Sequence, residues 1–114
     1  MKLSILEERE HERGRLYEVE ANGKIISVLL TFHALARSAR WDVAPQQVLR
    51  TLIFPEEVLR GHRDRFIAQR RSGRHVVRVI YEYESRLPVA VTVYCPSLKR
   101  YFDGGGRHED RILP

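Results

Sequence analysis

The chain has 114 residues, 43% of them hydrophobic and 31% charged, which suits one globular domain able to bury its own core and excludes a disordered chain. Twenty basic residues face fifteen acidic ones, a formal charge of +5. The single cysteine, Cys95, excludes an internal disulfide and favours a reducing, cytoplasmic setting; no apolar run reaches membrane-spanning length and no signal peptide is read at the start.

Residues 1–14 are dense in charge, with Glu7, Glu8, Arg9, Glu10, Glu12 and Arg13, and read as a solvated helix or an N-terminal arm. Alternation through Leu16, Tyr17, Glu18, Val19 and Glu20, then Asn22-Gly23, then a β-rich run from Lys24 to Leu30, predicts a hairpin. Thr31 suits a helix N-cap. Phe32, Leu35, Ala36 and Ala39 follow at helical spacing as an apolar stripe, with His33, Arg37 and Arg40 on the opposite face. This helix should stop near Trp41. Asp42 or Ala44 caps a second one, with Pro45 in its first turn, Val48, Leu49, Leu52 and Ile53 as its buried stripe, and Phe54-Pro55 as its end.

Gly61 to Asp64 reads as a loop. Strands are then predicted from Arg65 to Arg71, from Arg74 to Tyr83 and from Val89 to Tyr94, joined by the Ser72-Gly73 turn and the Glu84–Leu87 turn. Alternation sets Val77, Val79, Tyr81 and Tyr83 on one face and Val76, Arg78, Ile80 and Glu82 on the other. Pro96 ends the sheet, and Gly104-Gly105-Gly106 marks residues 102–114 as a flexible tail. The expected fold class is therefore α+β: two helices, 32–41 and 45–54, packed on an antiparallel sheet with a C-terminal three-stranded meander.

Seventeen of the twenty basic residues are arginines, and ten of these lie between His33 and Arg78 with four acids and no lysine, a local balance of +6. Arginine matches phosphate bidentately, so a polyanion is the expected partner. The competing explanation is compositional: arginine serves on any solvated face. The sharpest constellation is His33, Arg37 and Arg40 on one helix face with Arg70, Arg71, Arg74 and Arg78 on or beside the hairpin. In RNA cleavage a histidine serves as base or acid, arginines hold the phosphorane, and a tyrosine, here Tyr81 or Tyr94, stacks on a base or supplies a proton. Histidine and cysteine spacing suggests no metal site, and no cofactor motif is present.

The blocks His33-Ala34-Leu35-Ala36-Arg37, Val43-Ala44-Pro45-Gln46-Gln47-Val48-Leu49, Phe54-Pro55-Glu56, Arg65-Phe66-Ile67-Ala68, Val77–Glu82 and Val91–Tyr94 resemble the bacterial and archaeal domain-of-unknown-function family numbered 4258. The resemblance spans residues 32–95. That family is similar in layout to the RelE/ParE-like and BrnT toxins, which implies a RelE-like arrangement. It also implies a toxin-like, metal-independent endoribonuclease, or for the ParE branch a gyrase poison. It matches recurrent polar positions at His33, Arg37, Arg78 and Tyr94. The implied partners are RNA, an acidic antitoxin protein and a second copy of the chain. The Asn22-Gly23 hairpin lies outside the matched blocks, and the toxins' terminal catalytic block has no counterpart after Tyr94. The second reading is a non-catalytic module that binds nucleic acid or a partner protein through the same arginines. A third is an adaptor domain whose exposed strand pairs with a partner.

Overall fold

The computed structural model describes residues 2–97 and 112–113. Three strands come first, β1 (Leu3–His11), β2 (Gly14–Ala21) and β3 (Lys24–Thr31). Helices α1 (Phe32–Arg40) and α2 (Pro45–Ile53) follow, and then β4 (Glu57–Arg60), β5 (Phe66–Ser72), β6 (His75–Glu84) and β7 (Leu87–Tyr94). The tail predicted over 102–114 lies outside the described residues except for Ile112 and Leu113.

The fold expected from the sequence is not the one that forms. All seven strands join one mixed sheet in the order β1-β2-β3-β7-β6-β5-β4, and strand outweighs helix by 56% to 18%. Two features make the difference. The first is β1. The charged segment expected as helix or arm is an edge strand, paired antiparallel with β2 from Leu3↔Ala21 to His11↔Gly14. Its charges are those of a guarded sheet edge, where ionised side chains and a bulge between Ile5 and Glu7 discourage pairing with other chains. The second is a parallel pairing of β3 with β7, confined to Leu29↔Val89 and Leu30↔Ala90, which fuses two antiparallel meanders. Thr31 secures that seam. Its hydroxyl donates to the carbonyl oxygens of Ala90 (2.9 Å) and Val91 (3.3 Å) and accepts from the Ala34 N–H (3.1 Å), so one side chain ties strand to strand and caps α1.

Within the second meander, β5 pairs antiparallel with β6 and β6 with β7. Val91 is the extra residue of a bulge, since Ile80 faces Thr92 while the next residue, Tyr81, faces Ala90. β4, which lies in a stretch with no predicted element, pairs with β5 as the other edge.

Both helices lie on one face of the sheet. The core there gathers Val48, Leu49, Leu52 and Ile53 of α2 with Val19, Val28, Leu30, Ala68, Val77, Val79, Tyr81 and Val93 of the strands. On α1 the buried residues are Ala34 and Ser38; of the expected stripe Leu35 is partly buried against the core, while Phe32, Ala36 and Ala39 are exposed. Small side chains bring that helix close to β7, and the Ser38 hydroxyl is satisfied by the Val43 carbonyl (2.9 Å). Ala44 is the N-cap of α2; its N–H donates to the Gln47 side chain (3.1 Å).

Candidate nucleic-acid interface

Burying α1 through Ala34 and Ser38 rotates its other residues outward. At about 100° per residue, His33, Arg37 and Arg40 share a sector of roughly 60°, and all three are exposed. Aromatic side chains flank the stripe: Phe32 is 59% and Trp41 46% exposed. No acid stands in the first turn of the helix, and Arg37 and Arg40 lie in its last turn, where the helix dipole favours cations. Neither arginine makes an ion pair among the described residues. The α1 surface is thus a row of cations bordered by two rings able to stack on bases.

The other predicted site residues are dispersed. Arg78 is only 5% exposed and sits on the sheet face turned away from the helices, because it alternates with the core residues Val77 and Val79. Its guanidinium lies 5.2 Å from the ring centroid of Tyr94, its cross-strand neighbour. His33 and Arg78 therefore occupy opposite sides of the sheet and do not form one cleft. Tyr81 is buried on the helix side in an aromatic cluster, 5.5 Å from Phe66 and 5.9 Å from Tyr83 between ring centroids, where no base can reach it.

The hairpin arginines divide further. Arg70 donates to the Phe54 carbonyl and so closes the C-terminal end of α2. Arg71 is exposed and holds Glu56 through its backbone N–H (2.6 Å), Nη2 (3.0 Å) and Nε (3.3 Å). The side-chain hydrogen bond from Arg71 keeps the Glu56 carboxyl below its ordinary range. Arg74 is exposed in the β5–β6 turn without an ion pair among the described residues. Burial raises the Cys95 thiol above its ordinary value, which does not suit a nucleophile. Among the described residues no three of His, Cys, Asp and Glu gather into a metal-binding group, and no helix is long and apolar enough to cross a membrane.

Sequence reasoning missed Phe32 and Trp41 because it placed Phe32 in the buried stripe and used Trp41 only as a helix end. It also missed a polar row crossing four strands on the sheet face turned away from the helices, Glu57–Gln69–Arg78–Tyr94, in register across β4 to β7. Glu57 and Gln69, like Arg78, are buried. That row is invisible until β4 is recognised as a strand. Comparison of the chain with protein-family models, with curated proteins and with solved structures returned no match.

Proposed function

We propose that this protein binds single-stranded RNA through the α1 face, with Arg37 and Arg40 on phosphates and Phe32 and Trp41 on unpaired bases. The observation that carries this reading is the exposure of the two aromatic rings on either side of the arginine stripe. Cations alone suit any polyanion; cations flanked by stacking surfaces suit a strand whose bases are free. RNA rather than DNA is proposed because single strands with unstacked bases are the usual targets of RNA recognition. A cleavage mechanism shared by His33 and Arg78 has no geometric support, since the sheet separates them. The reading is therefore of binding without cleavage, in a reducing cytoplasmic setting.

The test is a titration of labelled single-stranded RNA at several salt concentrations, with wild type and the Arg37→Gln/Arg40→Gln double variant, followed by electrophoresis of the same RNA. Each phosphate contact on a single strand contributes about 0.7 to the salt slope, so losing two lowers it by about 1.4. Between 50 and 200 mM salt that is roughly a sevenfold smaller loss of affinity for the variant. Intact RNA after incubation is expected. An unchanged slope refutes the assignment of these arginines, and cleavage abolished by His33→Ala refutes the non-catalytic reading.

A further inference from the structure

The sheet face away from the helices carries a second feature, built by the β4–β5 connection. Cross-strand pairing sets Leu59, Ile67, Ile80 and Thr92 side by side across β4 to β7. The loop 61–65, which joins β4 to β5, lines one cavity together with Ile67 and Ile80 of this row. It is fastened by the Gly61 N–H donating to the Arg65 carbonyl (2.8 Å) and the Arg65 N–H donating to the His62 carbonyl (3.2 Å). Arg63 and Asp64 are both left-handed, with φ of 57° and 59°, a conformation that side chains other than glycine adopt reluctantly. The strained turn holds His62 and Arg63 above a cavity of about 400 Å³ lined by Gly61, His62, Arg63, Arg65, Ile67 and Ile80.

The chemistry of this cavity is divided. Its floor is aliphatic, from Ile67 and Ile80, and its rim is cationic. Of the carboxylates nearby, Glu82 is engaged by the Arg65 Nε at 2.8 Å, and Asp64 lies at the solvent side within 3.9 Å of Arg60. An aliphatic floor beside a cationic rim suits a ligand that joins a ring to an anionic group.

We propose that this cavity binds a nucleoside monophosphate, its base on the Ile67–Ile80 floor and its phosphate at Arg63 and His62. The site is on the opposite side of the sheet from α1 and does not depend on the RNA reading. A free mononucleotide and the 5′-phosphorylated end of an RNA offer the same chemistry. Adenosine monophosphate and a 5′-phosphorylated trinucleotide are therefore titrated separately into the full chain by calorimetry, with adenosine as the uncharged comparison.

Saturable binding of adenosine monophosphate is expected, at least about tenfold tighter than adenosine, the loss that follows removal of a charge-assisted hydrogen bond. His62→Gln with Arg63→Asn should weaken it by about tenfold or more. Both side chains are exposed, and asparagine tolerates the left-handed position, so the fold should survive. Arg37→Gln/Arg40→Gln should leave this binding unchanged while altering RNA binding. A trinucleotide that binds as tightly as the mononucleotide supports the site with an RNA end as its source; one that binds more weakly supports it with the free nucleotide. Absent saturation, equal affinity for adenosine, or indifference to the His62/Arg63 variant overturns the proposal.

Discussion

Among the described glycines, Gly14 has the least room for a side chain. It opens β2, opposite Thr31 at the end of β3, and the neighbouring Arg13 carbonyl accepts from the Phe32 N–H (2.9 Å) as α1 begins. A Cβ at Gly14 would lie 2.0 Å from the Leu30 carbonyl oxygen and 2.8 Å from the Thr31 Cα. Both are backbone atoms, so no rotamer change relieves the overlap, and β2 must part from β3 where α1 is anchored. Overpacking of this severity costs about 3 kcal/mol or more. At about 4 °C per kcal/mol for a domain of this size, Gly14→Ala should lower the melting temperature by about 12 °C or more. Gly23 is the control. Its φ of +76° is left-handed, but a Cβ there meets nothing within 4 Å. Gly23→Ala should therefore cost only the conformational term, about 1 kcal/mol, or about 4 °C. Thermal unfolding followed by circular dichroism measures both. Equal melting temperatures for the two variants would refute the steric reasoning and with it the strand–helix junction described above.

Phe32→Ala and Trp41→Ala should each weaken single-stranded RNA binding by about 1 kcal/mol, roughly fivefold, without shifting the melting temperature, as a filter-binding assay beside a thermal melt would show. Glu56 is held in its charged form by Arg71, so its contribution to stability is complete above the ordinary glutamate value of about 4.3 and is lost as pH falls through its lower folded value. Urea midpoints of wild type and Glu56→Gln should accordingly differ at pH 7 and converge in acid; a constant difference would refute the assignment. Because burial raises the Cys95 thiol, its reaction with a disulfide reagent at neutral pH should be slower in the folded chain than in urea.

What could be read from the sequence depended on how local each cause is. The Asn22-Gly23 turn and the alternation through β6 are short-range signals, and both elements form where they point. The seam between β3 and β7 is different in kind. It joins residues about sixty positions apart through two register pairs and the Thr31 hydroxyl, and no periodicity announces it. β1 was obscured by its charges, which suit a solvated helix and a guarded edge strand equally. On α1, apolar spacing favoured burying Phe32, Leu35, Ala36 and Ala39. The packed face instead centres on Ala34 and Ser38, with Leu35 partly buried beside them, because small residues permit a close approach to β7 and the serine finds its partner at Val43. The same rotation exposes Phe32 and leaves His33, Arg37 and Arg40 together in solvent. Alternation separated Arg78 from Val77, yet the side of the sheet on which the helices would lie was legible only in three dimensions.

Trp41 is the only tryptophan in the chain, so emission excited selectively at the indole reports the surroundings of this one residue at the end of α1. Titration of single-stranded RNA into the wild-type protein at low salt should quench this emission saturably, because a stacked base contacts the ring directly. Added salt should reverse the quench as Arg37 and Arg40 lose their phosphates. Binding of RNA that leaves Trp41 emission unchanged, or a quench that persists at high salt, would contradict recognition by the α1 face.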